Sequence, residues 1–151
     1  MYTITDLYDL DHTLASDYLK QFTYPWEALK GLKDFIYELG KTLDTNEYEQ
    51  HEEGVWVHRT AKVFPTAYLG SPCIIGPNTE VRHCAFIRGA AIVGADCVVG
   101  NSVELKNVIL FDHVQTPHYK NRYLSSNLSS NRDTLLPKLM NGEIDVSEVK
   151  I

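Results

Sequence analysis

The sequence predicts an all-β solenoid, short strands joined by tight turns and stacked on one another, preceded by a helical arm. Three observations carry that prediction. Large apolar residues recur at every sixth position, from Val57 through Val63, Leu69, Ile75, Val81, Ile87, Val93, Val99 and Leu105 to Phe111. Mostly small residues stand four places after these hits, at Ala61, Ala67, Cys73, Thr79, Ala85, Ala91, Cys97 and Val103. Glycine follows the aliphatic residue directly at Gly70, Gly76, Gly94 and Gly100. A period of six is neither the helical 3.6 nor the strand alternation of 2. Short strands with small residues or glycine at the bends explain it. The alternative, a β-sandwich of irregular short strands, does not call for ten evenly spaced apolar positions.

This pattern resembles the hexapeptide repeat of the left-handed parallel β-helix family over about residues 55–117. In that family three hexads make one triangular coil of eighteen residues. The resemblance implies a single-stranded left-handed parallel β-helix of about three coils, within residues 54–118. One coil cannot bury its own interior, so stacking must supply the core. Val57, Ile75, Val93 and Phe111 are expected to fill one inner column. Val63, Val81 and Val99 would fill the second, and Leu69, Ile87 and Leu105 the third. The two open ends of such a prism expose strand edges that need covers.

The flanking segments are candidates for that role. Within an arm of residues 1–53, positions 11–22 read as a short helix with Leu14, Tyr18 and Phe22 on one face. A second helix is expected from Pro25, a good first-turn residue, to about Leu39. Its stripe is Leu29, Leu32, Phe35, Ile36 and Leu39, with Gly40 as the stop. Residues 41–53 read as a polar, acidic connection. After Tyr119 the hexads fail, and 119–151 reads as an irregular tail with a possible helical turn at Leu135–Met140 and a turn at Asn141-Gly142.

Composition bounds the function. At 44% hydrophobic and 23% charged the chain is neither a disordered polymer nor a disulfide-packed miniprotein. No apolar run approaches the roughly 18 residues that span a bilayer, and no signal-peptide pattern opens the sequence. Cys73, Cys84 and Cys97 are an odd set without a CxxC pair, which fits a reduced, cytoplasmic setting. Residues 1–53 carry 12 acids and 4 bases, whereas 54–120 carry 6 bases and 4 acids. There is no basic stripe for nucleic acid. A mildly basic middle points to a small anionic ligand.

Arg88 and Lys106 are the most informative pair. They stand eighteen residues apart, so they would stack on adjacent coils at the ordinary strand spacing of about 4.8 Å. Two such cations would repel by roughly 1 to 3 kcal/mol unless something negative sits beside them. A phosphate suits Arg geometry, with Lys as a point charge. Pairing with a carboxylate such as Glu104, or splaying into water, would serve equally. His118, after Pro117, is expected above Gly100 and in one column with Arg82. Open space beside the glycine would admit a substrate.

Three stretches sharpen the resemblance: Ile87-Arg88-Gly89-Ala90-Ala91, Val99-Gly100-Asn101-Ser102-Val103-Glu104-Leu105-Lys106-Asn107, and Pro117-His118-Tyr119. Together they resemble the acetyltransferase domain of the bifunctional glucosamine-1-phosphate acetyltransferase/N-acetylglucosamine-1-phosphate uridyltransferase family. They are also similar to the smaller UDP-N-acetylglucosamine pyrophosphorylase-related proteins, which share helices like Pro25-Trp26-Glu27. The resemblance implies a sugar-phosphate or nucleotide-sugar acyltransferase in which Arg88 and Lys106 hold the sugar phosphate; Arg82, in the column expected for His118, is a further candidate for that role. It implies that His118 is the general base, with acetyl-CoA as co-substrate, no metal, and a homotrimer with sites between subunits. A neutral imidazole titrating near working pH suits that base.

The chain departs from that pattern after the histidine. Position 121 is Asn where the family has Tyr, Tyr123 is displaced, no Gly-Asp follows, and the later coils that build much of the acetyl-CoA site do not appear. No Gly-rich nucleotide loop marks a uridyltransferase half. A non-catalytic binding or assembly module with an anion site is therefore the rival reading. A third is a zinc protein like the γ-class carbonic anhydrases, from the spacing of His113 and His118. There the third ligand position is Pro77, and the family's Arg-Gly-Asp is Arg88-Gly89-Ala90; zinc catalysis needs three protein ligands.

Overall fold

A computed structural model describes residues 2–117. His118 and the segment 119–151, expected to be an irregular tail, lie outside the described residues. The helices are α1 (Ile4–Leu7), α2 (Ser16–Leu19), α3 (Pro25–Ala28) and α4 (Leu32–Thr42), with a 3-10 turn at Leu10–His12. The strands are β1 (Tyr48–Glu52), β2 (Val55–His58), β3 (Lys62–Val63), β4 (Tyr68–Leu69), β5 (Cys73–Ile75) and β6 (Glu80–Val81). They continue as β7 (Phe86–Ile87), β8 (Ala91–Val93), β9 (Val98–Val99), β10 (Glu104–Leu105), β11 (Val108–Leu110) and β12 (Gln115–Thr116).

The chain winds as a β-solenoid of about three turns, with a few helices before it. Three sheets form its faces: β1-β2-β5-β8-β11, β4-β7-β10 and β3-β6-β9-β12. Every pair within the solenoid is parallel, and each coil advances by eighteen residues at first, as in Ile75↔Val93 and Ile87↔Leu105. Up to Leu105 the three inner columns are those expected from the hexads. Ile75, Val81, Ile87, Val93 and Val99 are fully enclosed, with Leu69 and Val63 packed against them at the first coil.

One expected column ends differently. Val93 pairs with Leu110, seventeen residues on, and Val99 with Thr116. The missing residue is at the corner after Leu105, where Lys106-Asn107 replaces the longer Arg88-Gly89-Ala90. Left-handed backbone marks the same slip. It falls on Asn78, Cys84, Ala90, Asp96 and Ser102 at steps of six, then on Asn107 after only five. Phe111 therefore leaves the interior and stacks on Tyr8 of the arm, rings 5.2 Å apart.

The arm packs against the five-stranded sheet. Ile74 and Ile92 point outward from the five-stranded sheet, yet both are fully buried, because Leu32, Ile36 and Trp56 join them in a second core. That sheet is apolar on both faces, hence Val55-Trp56-Val57, Cys73-Ile74-Ile75 and Ala91-Ile92-Val93. Neither arm helix runs as expected. The first breaks at Thr13-Leu14-Ala15, leaving Leu14 exposed while Tyr18 is buried. The second breaks at Gly31, where an added Cβ would meet the Tyr18 hydroxyl. That hydroxyl donates to the Ala28 carbonyl at 2.6 Å, and the Tyr18 ring stacks on Phe35 at 4.1 Å. Gly40 is inside α4 rather than its stop, because the Trp56 indole occupies the space a Cβ would take. The acidic connection also hides a strand, β1, paired antiparallel with β2.

All three cysteines are free thiols; Cys73 and Cys97 are buried and Cys84 is exposed. Burial pushes the Cys73 thiol up to about 12. Since the thiolate is the reactive form, a thiol-disulfide reagent at neutral pH should label Cys84 alone in the folded protein. Unfolding should release the other two. Fast labelling of more than one thiol in the native protein would contradict this packing. Among the described residues, no helix is long and apolar enough to cross a membrane.

Candidate anion site

The outward positions of the three-stranded sheet form a column of Tyr68, Phe86 and Glu104, in register across β4, β7 and β10. Tyr68 and Phe86 are exposed, with ring centroids 5.1 Å apart. This run of two aromatics and an acid at eighteen-residue spacing is legible in the sequence, one place before each aliphatic hit. The hexad reading passed over it by attending to the inner positions.

Arg88 and Lys106 follow this column. Ile87 and Leu105 are in register, and the Arg88 backbone N–H donates to the Leu105 carbonyl at 2.8 Å. Thus the two cations leave adjacent coils at the same corner. Arg88 Nη1 donates to Glu104 Oε1 at 3.0 Å, with the side chains 47% and 54% exposed. An ion pair that open to water is worth about 0–1 kcal/mol. The carboxylate relieves the like-charge contact that the sequence predicts, and it is held weakly enough for another anion to replace it. Among the described residues, Lys106 has no ion-pair partner.

Arg82 belongs to a different corner, after β6. Its Nε lies 3.3 Å from Glu80 Oε1, and its backbone N–H donates to the Val99 carbonyl. Arg82 and Arg88 are thus not brought together through neighbouring strands of one sheet. The seventeen-residue step also changes the expected column, since the Gly100 N–H donates to the Thr116 carbonyl at 2.8 Å. Pro117, rather than His118, follows next in register with Gly100. His118 itself is outside the described residues.

His113 Nδ1 lies 3.9 Å from Asp96. Among the described residues, no three His, Cys, Asp or Glu side chains are grouped to hold a metal ion. Compared with models of known protein families and with curated proteins, the sequence matches none.

Proposed function

We propose that this protein is a left-handed hexapeptide-repeat acyltransferase that acetylates an amino sugar phosphate. The observation that carries the reading is the corner at which the exposed residues Arg88 and Lys106 leave adjacent coils. A sugar phosphate would exchange for Glu104 on Arg88 and take Lys106 as its second cation. Replacing a surface ion pair costs little, about 1 kcal/mol or less, whereas the phosphate gains two charge-assisted contacts. His118 would take a proton from the acceptor nitrogen as that nitrogen attacks the acetyl-CoA carbonyl. The new N–C bond forms, the C–S bond breaks, and the leaving thiolate takes up a proton. Three copies would bring the corner of one subunit beside the next, with exposed Tyr68 and Phe86 supplying apolar contact area.

The rival is an assembly or binding module that keeps only the anion site, with Glu104 already neutralising Arg88. One assay separates the two: thiol release from acetyl-CoA with glucosamine 1-phosphate as acceptor. Acceptor-dependent turnover is expected, falling about 10²- to 10⁴-fold in His118→Ala. Absence of turnover in the parent protein would favour the module. Equal turnover in both would keep an activity but remove His118 as the base.

A further inference from the structure

Beside the shortened corner at Lys106-Asn107, the arm and the last coil enclose a cavity of about 350 Å³. Ile4 and Ala28 line it and are fully buried. Tyr8, stacked on Phe111, lines it from the arm, and Asn107 and Val108 line it from the solenoid. Trp26 and Leu29 also line it while remaining 55% and 44% exposed. The Trp26 ring is nonetheless held against Tyr24, with centroids 4.9 Å apart and planes 6° from parallel. The cavity is thus open along an apolar rim whose rings are already stacked. A concave, apolar and pre-formed site of this size suits a small ligand.

The charges next to it are uneven. Acids on the adjoining arm are engaged by the fold. Asp6 accepts from the Thr3 N–H and hydroxyl, Glu27 from the Thr23 and Tyr24 N–H groups, and Asp9 from the Asp11 N–H. Lys20 is paired with Asp17. Lys30, which follows Leu29, and Lys106, which precedes Asn107, are exposed and form no ion pair among the described residues. Lys106 also belongs to the anion corner with Arg88. On the previous coil two residues, Gly89 and Ala90, separate that corner from the next strand, whereas here Asn107 alone does. The cationic corner and the apolar cavity therefore meet at consecutive residues, whose Cα atoms are about 3.8 Å apart.

We infer that this cavity binds the apolar chain of an amphipathic anion whose phosphate or carboxylate head sits at Lys106. The chain displaces water from Tyr8, Trp26 and Leu29, and the head supplies the counter-charge that Lys106 lacks. Neither part suffices alone. A free anion gains only exposed, salt-screened contacts, and a neutral chain leaves the lysine unanswered. An alkyl phosphate and a fatty-acid carboxylate share this chemistry. The inference rests on the anion corner of the proposed function, to which it adds an apolar group on the ligand, and does not depend on acyl transfer.

Calorimetric titrations of the full chain would compare octyl phosphate, octanoate, inorganic phosphate and glucosamine 1-phosphate, the octyl compounds below their micelle-forming concentrations. At least one octyl anion is expected to bind about tenfold or more tighter than inorganic phosphate. Tryptophan emission should shift to shorter wavelength on binding, through Trp26, because Trp56 is already buried. Leu29→Asp, at an exposed position, should abolish the advantage of the chain, and Lys106→Ala should weaken the octyl anion about three- to tenfold. Tighter binding of octyl phosphate identifies a phosphate head, and of octanoate a carboxylate head. Octyl anions that bind no tighter than inorganic phosphate overturn the inference. So does an advantage that Leu29→Asp leaves intact, or octyl binding that Lys106→Ala leaves unchanged. If glucosamine 1-phosphate still binds in those cases, the anion corner survives and the cavity inference alone is lost. If none of the four anions binds, both fall.

Discussion

Gly76→Ala is expected to destabilise the protein by about 3 kcal/mol or more, at the upper end of what overpacking costs. Gly76 has an ordinary negative φ, so backbone freedom is not what calls for glycine here. The reason is proximity between coils. A Cβ at position 76 would lie 2.5 Å from the Gly94 carbonyl oxygen and 2.9 Å from that of Val93. Those atoms cannot retreat cheaply, because the Gly76 N–H is bonded to the Val93 carbonyl at 2.8 Å. Moving the coils apart would also loosen Ile75 from Val93, both fully enclosed. A loss of this size is a large share of the roughly 5–15 kcal/mol that holds a domain together. Urea unfolding of the variant measures it, and a loss below about 1 kcal/mol would mean that the coils are not spaced this tightly.

Thr79→Val is the second large effect, at about 2–4 kcal/mol. Thr79 is fully buried within an apolar column. Its hydroxyl donates to the Gly94 carbonyl at 2.7 Å and accepts the Cys97 N–H at 3.0 Å, tying three segments of adjacent coils. Valine fills the same space but leaves both backbone groups enclosed without that partner, at about 1–3 kcal/mol each. Thr79→Ser keeps both bonds and should lose only about 1 kcal/mol for the methyl. Thr66 makes a similar contact thirteen residues earlier, to the Cys84 N–H at 3.1 Å, but at the surface. Water can replace it there, so Thr66→Val should cost well under half as much. Equal losses at both positions in thermal or urea unfolding would contradict the argument.

The solenoid was legible because its signal is purely local. Each hexad repeats one strand and one corner, so aliphatic positions such as Ile75, Ile87 and Val99 declare themselves by counting. The arm was harder to read. Tyr18 and Trp56 place their rings against Gly31 and Gly40, and contacts of that kind decide where its helices break. A helical stripe such as Leu29–Leu39 cannot reveal a ring arriving from elsewhere in the chain. A signal for the arm's docking face was nonetheless present. Three consecutive apolar residues recur once per coil, at Val55-Trp56-Val57, Cys73-Ile74-Ile75, Ala91-Ile92-Val93 and Val108-Ile109-Leu110. Only a sheet covered on both sides calls for that.

For the candidate anion site, the spacing of Arg88 and Lys106 was sufficient to place them at one corner. It could not choose between phosphate and carboxylate as their counter-charge, because both neutralise equally well in a count of charges. The folded chain brings Glu104 to Arg88. Counting also failed beyond Leu105, where the shortened corner at Lys106-Asn107 moved Thr116 opposite Val99 and displaced the column assigned to His118.

The sequence by itself determined the repeat, its inner columns and the corner that gathers Arg88 and Lys106, because these depend on spacing within a uniform coil. Only the tertiary structure decided the covered face, the seventeen-residue slip and the Arg88–Glu104 pair. Each of those depends on which distant side chain arrives to fill a space, and periodicity carries no record of that.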